Sequence, residues 1–222
     1  EKGLDPLSIN YCHGFMDIGN RRFSCLIWTE TGSTHGEVNL YGAIRGSCNY
    51  YFYTLALGKN PEDGDTLGVK LELNDIRLAA EKLGLDQKTG IEINIPNETV
   101  GNIPSIGKKV EVTKTMLKKY LENNLTIFIK DGVKKTRDEY KKDIEDIVSF
   151  ADDPEGWTRD KIIEFLDEKG YEPIGIYDGQ IAGLADTIKF TFLNQANWDI
   201  TDMLNIVIGQ GQNSYTPIQM NR

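Results

Sequence analysis

The sequence predicts a mixed α/β fold dominated by helices, with a charged helical module set into a less charged host. Apolar residues recur with a period of 3.6 in most of the longer segments and alternate only in short stretches, so helices should outnumber strands. Charge is concentrated between residues 106 and 200, which hold 15 Lys+Arg and 19 Asp+Glu, against 10 and 15 in the other 127 positions. The 222 residues, 39% hydrophobic and with a net charge of -9, fit one or two ordinary domains that can bury a core without disulfides or metals. The acidic balance argues against a nucleic-acid partner, which takes clustered Lys and Arg. No run approaches the roughly 18 apolar residues of a membrane span, and no basic-then-apolar signal segment opens the sequence.

Taken in order, the elements begin with GFMDIGNRRFSCLIW, where Gly19-Asn20 separates two runs that suit a hairpin or irregular loop. From Asn39 the helical period takes over, with Leu40, Ala43, Ile44, Ser47, Tyr51, Phe52 and Leu55 on one side and Gly58 as the stop. A second helix is expected from Asn74 as N-cap through Ile76, Ala79, Ala80 and Leu83 to a C-cap at Gly84, and TGIEINIP alternates as a short strand. The charged module should hold four helices. The first spans about Val112 to Lys130. The second starts at Thr136, which has capping-box spacing to Glu139, with Tyr140, Ile144, Ile147 and Val148 as its apolar face. The third runs from Thr158 to Lys169 and closes at Gly170, and the fourth covers roughly Ala182 to Gln195. LNIVIGQG then reads as a buried strand and Gly-rich turn, with Thr216-Pro217 opening a last helix.

Several familiar chemical patterns fail on inspection. Gly209-Gln210-Gly211-Gln212-Asn213-Ser214 lacks the third glycine of a dinucleotide fingerprint and reads as a tight turn. Cys12, His13, Cys25 and His35 are residue types of a zinc site, but their spacing matches no common ligand pattern, so neither metal nor cofactor is expected. Cys12 and Cys25 flank the Gly19-Asn20 turn almost symmetrically, a spacing compatible with a disulfide in an oxidising compartment. Cys48 reads as a small buried side chain. Two histidines without an evident partner give no support to a Ser-His or Cys-His pair, and His35 is expected to be exposed or held by one structural hydrogen bond.

The segment HGEVNLYGAIRGSCNYYFYTLALG, residues 35 to 58, is more specific. Its Ser47-Cys48-Asn49, with the preceding HG.VNL..AI and the following YYFY, resembles the second active-site motif of penicillin-binding protein transpeptidases. LAAEKLGLDQKTGIEINIPNETVGNIPS and LNIVIGQGQNSYTPIQM resemble the same family in the same order. The resemblance covers about 125 residues and points to the class B, monofunctional, elongation-type enzymes. It implies a partial serine transpeptidase-like α/β fold over 1–105 and 196–222, mainly its helical part, interrupted by a helical insertion over 106–195.

What the resemblance implies for chemistry is acyl transfer from D-Ala-D-Ala stem peptides, and acylation by β-lactams, through Ser-x-x-Lys, Ser-x-Asn and Lys-Thr-Gly motifs in that order. Ser47 would bond the catalytic lysine and relay its proton, and Asn49 would orient that lysine and bind a stem-peptide carbonyl. Ser105-Ile106-Gly107-Lys108 falls after Ser-x-Asn, carries a glycine and follows Pro104, so it is read as a decoy poorly suited to open a helix. Lys88-Thr89-Gly90 is read as a decoy as well, since it matches a turn upstream of where the third motif belongs. The nucleophile is therefore expected upstream of Glu1 and the third motif downstream of Arg222, with the parent anchored upstream at the extracytoplasmic face of the bacterial membrane. Cell-wall elongation proteins are the implied partners. The insertion is read as a structural elaboration, with a docking surface as the other reading. For the whole chain the alternative is a non-catalytic β-lactam sensor or degenerate homologue acting in protein interaction.

Overall fold

The computed structural model describes residues 2–90, 98, 100–175, 183–211, 213–215 and 217–220. The fold is helix-rich and mixed. It divides into two compact units, one of Glu1–Pro104 with Asp199–Arg222 and one of Ser105–Trp198.

In the first unit β1 (Asn10–Cys12) pairs antiparallel with β4 (Gly36–Val38), Asn10 opposite Val38 and Cys12 opposite Gly36. Between them β2 (Phe15–Ile18) and β3 (Arg21–Ser24) form the hairpin that Gly19-Asn20 announces, Gly19 taking a φ of 62°. The apolar residues after Cys25 extend no strand; they make the short helix α1 (Leu26–Thr31). Helix α2 (Leu40–Arg45) opens on Asn39, whose side chain accepts from the Gly42 N–H at 2.9 Å. The periodic stretch up to Gly58 then continues as a second helix, α3 (Asn49–Leu57), after a break at residues 46–48. Helix α3 is held by a buried polar node. Asn60 donates to Asn10 Oδ1 (3.4 Å), the Tyr11 carbonyl (3.3 Å) and Asp63 (2.8 Å) while accepting from Tyr50 Oη (2.6 Å). Asn10 in turn donates to Thr54 Oγ1 at 3.0 Å, which ties β1 to α3.

Helix α4 (Leu73–Lys82) starts two residues earlier than expected, because the Asp75 carboxylate accepts from the Glu72 N–H at 2.8 Å and Glu72 takes the cap. The strand expected from TGIEINIP falls on residues 91–97, outside the described residues. Gly101 packs against the backbone of Leu85, where an added Cβ would lie 2.0 Å from the Leu85 carbonyl oxygen and 2.8 Å from Tyr215. Gly101→Ala should cost about 1–3 kcal/mol of this unit's stability in urea unfolding.

The second unit is built on α5 (Ile106–Asn124), α6 (Arg137–Ser149), α7 (Arg159–Glu168) and a continuous helical stretch over 184–196, made of α8 (Leu184–Asp186), a π-helical segment (Thr187–Leu193) and α9 (Asn194–Ala196). Helix α6 begins with the predicted capping box, Thr136 Oγ1 accepting from the Glu139 N–H and Glu139 accepting from the Thr136 N–H. The unit packs on its own core, from Leu117, Leu121 and Leu125 across Ile147 and Phe150 to Ile162, Leu166, Leu184 and Ile188. Phe150 stacks on Trp157 with ring centres 3.5 Å apart, and Phe165 meets both edge-on. Helix α5 corrects the sequence reading: it opens at Ile106 because the Ser105 hydroxyl accepts from the Lys108 N–H at 3.2 Å, so the Pro104-Ser105 junction starts a helix after all.

The expected strand LNIVIG is also corrected. It is the end of helix α10 (Ile200–Val207), launched by a reciprocal box in which Asp199 and Asp202 each accept from the other's backbone N–H at 3.1 and 3.0 Å. Met203, Leu204 and Ile206 are its buried face, a helical spacing hidden inside a continuous apolar run. Pro217 opens the last helix, α11 (Pro217–Met220), as expected. Among the described residues no helix is long and apolar enough to cross a membrane.

Candidate functional site

Ser47-Cys48-Asn49 occupies the break between α2 and α3. Gly46 closes α2, its N–H donating to the Gly42 carbonyl at 2.9 Å, and the chain then turns through the Ser47 N–H to Ile44 O (3.3 Å) and the Cys48 N–H to Ala43 O (2.8 Å). Ser47 sits at φ 52°, the one non-glycine positive φ among the described residues. A Cβ in the left-handed region costs roughly 1–2 kcal/mol, so this turn is held against an intrinsic preference. Its three residues divide by burial: Ser47 is exposed, Cys48 is fully buried and starts the next helix as its N-cap, and Asn49 is half-buried at the first helical position.

Beneath the turn lies a cluster that linear spacing conceals. Cys12 at the end of β1, Cys25 just after β3, His35 just before β4 and Cys48 bring three sulfurs and one imidazole nitrogen to within 4.8 Å of one another. All three cysteines are free and buried. His35 Nδ1 lies 3.4 Å from Cys25 Sγ and 3.8 Å from Cys12 Sγ. The two His35–sulfur distances are close to the edge of a tetrahedron around zinc: with Zn–S about 2.3 Å and Zn–N about 2.0–2.1 Å, S···N comes to about 3.6 Å and S···S to about 3.8 Å, so the four donors, spread over as much as 4.8 Å, would draw together on an ion. The other imidazole nitrogen, Nε2, is 2.9 Å from the Gly46 carbonyl oxygen, so it carries the hydrogen and leaves Nδ1 as a lone pair facing the sulfurs.

The thiols also compete for charge. Hydrogen bonds from Cys12 and Cys48 push the Cys25 thiol strongly down, while bonding to Cys12 and Cys25, then burial, pushes Cys48 strongly up. Burial without a counter-charge makes a second thiolate costly, and a divalent cation removes that cost.

The linear reading named Cys12, Cys25 and His35 together with His13 and set a metal site aside because of their spacing. His13 is not part of the cluster: its Nε2 meets Asp63 at 3.2 Å and its ring packs between Tyr11 and Tyr50. Cys48, read from the sequence as mere packing, takes that place. The missed signal was compositional, since all three cysteines of the chain and one of its two histidines converge here from separate loops. Ser105-x-x-Lys108 and Lys88-Thr89-Gly90, read from the sequence as decoys, make local hydrogen bonds. The Ser105 hydroxyl is spent on capping α5, and the Thr89 N–H and hydroxyl both donate to Glu98 Oε1, at 2.7 and 2.6 Å, in a loop.

No protein-family model matches the chain, and no curated protein matches it. Among solved structures it is similar to the penicillin-binding protein PBP2 of Helicobacter pylori, solved by itself and in complex with MreC. Both alignments have 18% identity and a TM-score of 0.48, covering 98% of this chain and 22% of the other. The chain therefore spans about a fifth of the length of the proteins it is similar to.

Proposed function

We propose that the unit of Glu1–Pro104 with Asp199–Arg222 is part of a serine D,D-transpeptidase domain of the elongation-type penicillin-binding proteins. In this reading Ser47 and Asn49 supply the second catalytic motif, and Ser105–Trp198 is the inserted helical unit. The observation that carries the reading is the turn itself: a Ser-x-Asn between two short helices, with the serine exposed and the asparagine at the mouth of the following helix. Ser47 would relay the proton between a lysine amine and the leaving group, and Asn49 would hold that lysine and a carbonyl of a D-Ala-D-Ala stem peptide. Stem peptides and β-lactams are the ligands of this reading, cell-wall elongation proteins its partners, and the outer face of a bacterial membrane its place of action.

The cluster of Cys12, Cys25, His35 and Cys48 is proposed to hold a structural zinc ion. Four protein ligands, three of them buried and His35 half-buried, leave no open position for substrate, which suits a staple and not a reacting metal. The ion would tie β1, the end of the β2–β3 hairpin, the approach to β4 and the α2–α3 turn together, none of which is large enough to be stable alone.

The test uses penicillin acylation. The 222-residue chain alone should give no covalent label with a fluorescent penicillin, because in this reading Ser105-x-x-Lys108 and Lys88-Thr89-Gly90 both stand out of the family's motif order; stoichiometric labelling at any serine would overturn the assignment. In the longer protein, Ser47→Ala and Asn49→Ala should each slow acylation by about 10²–10⁴-fold, the range of a lost proton-transfer partner. An unchanged rate would favour the sensor or interaction-module reading.

A further inference from the structure

We infer that His35 and Cys48 are positioning residues which, through one bound cation, clamp the backbone on both sides of Ser47. The inference rests on the metal reading above. Cys48 follows Ser47 directly and offers its Sγ to the cluster, and Gly46 precedes Ser47 directly and receives the Nε2 hydrogen of His35, whose Nδ1 is the fourth donor. A single ion therefore reaches the residue after Ser47 through a thiolate and the residue before it through an imidazole.

Two further observations fit a clamp better than passive packing. A glycine at position 46 suits so close an imidazole, since a Cβ there would lie 3.1 Å from both His35 Cδ2 and Nε2 and the ring would have to give by a few tenths of an ångström. Between the two anchor points stands the residue with the unfavourable backbone angle, the φ of 52° at Ser47. Ser47 is exposed, so no packing of its own side chain holds it there. The backbone hydrogen bonds of Ser47 and Cys48 tie the turn to Ile44 and Ala43 of α2. The cation would add a second tie, through Cys48 and through His35 to Gly46, and set the direction in which the serine hydroxyl is presented.

Linkage makes this measurable without activity. If cation binding holds Ser47 in the left-handed region, part of the binding free energy is spent on that strain, and relieving the strain must tighten binding. Ser47→Gly, which removes the Cβ penalty, should tighten zinc binding about 5- to 30-fold, measured on the full 222-residue chain by competition with a chromophoric chelator. His35→Cys retains a four-ligand set but loses the N–H to Gly46. In that background zinc should still bind while the gain from Ser47→Gly falls below about twofold, as one arm of the clamp is gone. Zinc loading should also slow amide exchange at Ser47 and Cys48 more in the wild type than in His35→Cys. Zinc binding that Ser47→Gly leaves unchanged or weakens would overturn the clamp alone, as would a gain that persists undiminished with His35→Cys. A wild-type chain that binds no zinc would overturn the metal reading and the clamp with it.

Discussion

Replacing Cys25 with serine will weaken zinc binding by at least about a hundredfold, more than the 10–100-fold typical of losing an outer-sphere partner. Cys25 is the sulfur closest to His35, and hydrogen bonds from Cys12 and Cys48 push its thiol strongly down, so its loss removes a ligand together with the partner of both other thiols. The consequence for folding follows by mass action. At free zinc a thousandfold above the wild-type Kd the ion contributes about 4 kcal/mol to stability; a hundredfold weaker site leaves about 1.4, a loss of about 2.7 kcal/mol. Urea unfolding at fixed free zinc should therefore separate the two proteins, and a chelator in excess should bring them together. The segment that suffers is the one built from three-residue strands and six-residue helices, which has little else to hold it.

Asp143→Ala will destabilise the Ser105–Trp198 unit by about 3–5 kcal/mol, the cost of breaking a buried ion pair from one side. Asp143 on α6 is 3% exposed and accepts from Lys135 Nζ at 2.5 Å, Tyr171 Oη at 2.8 Å and Lys169 Nζ at 3.2 Å. Lys135, itself nearly buried, lies over the Tyr171 ring and would be left with its charge uncompensated. The double replacement Asp143→Leu with Lys135→Met should recover most of the loss, because it removes both charges together.

Acid should reproduce the single variant. Burial alone would raise the Asp143 carboxyl, but the hydrogen bonds from Lys135, Tyr171 and Lys169 outweigh it and hold the pKa below the ordinary carboxylate value. Lys169 is shared with Asp146, and Glu139 and Tyr140 add their fields to Tyr171 from the same helix. With the folded pKa below the unfolded one, the network's contribution is complete above the unfolded value of about 3.9 and is lost as pH falls through the folded value. Urea midpoints of wild type and Asp143→Asn, measured from neutral pH downward, should converge below that point; a constant gap between them would contradict the assignment.

Two helices of the second unit, α6 and α7, were legible because each carries its own start signal. Thr136 with Glu139 and Thr158 at the head of an apolar period needed no tertiary information. Helix α10 was misread as a strand because LNIVIG is apolar at every position but one, so its period is silent; the deciding signal was the Asp199–Asp202 box at its head. Helix α5 was started late because Pro104 and Gly107 weigh against helix, yet a proline just before an N-cap costs nothing and one glycine in a 19-residue helix is tolerated.

The site divides the same way. The Ser-x-Asn motif could be picked out by its flanking residues, but the break it occupies could not, since the apolar period runs from Leu40 through Ser47 to Leu55 without interruption. The thiol-imidazole cluster could not, because its four donors stand 13, 10 and 13 positions apart and meet only once β1 has paired with β4 and the hairpin has folded back. No spacing rule covers donors brought together from four separate parts of the chain, so the fold had to add Cys48, which is the small buried side chain the sequence predicts, to the set.

We propose that these four side chains form one metal centre beneath the Ser47 turn. X-ray absorption at the zinc edge on the loaded chain tests it most directly. One zinc per chain with three sulfurs at about 2.3 Å and one nitrogen at about 2.0–2.1 Å is the predicted shell. A chain that holds no stoichiometric zinc, or a shell of oxygens and nitrogens with one sulfur or none, would contradict it.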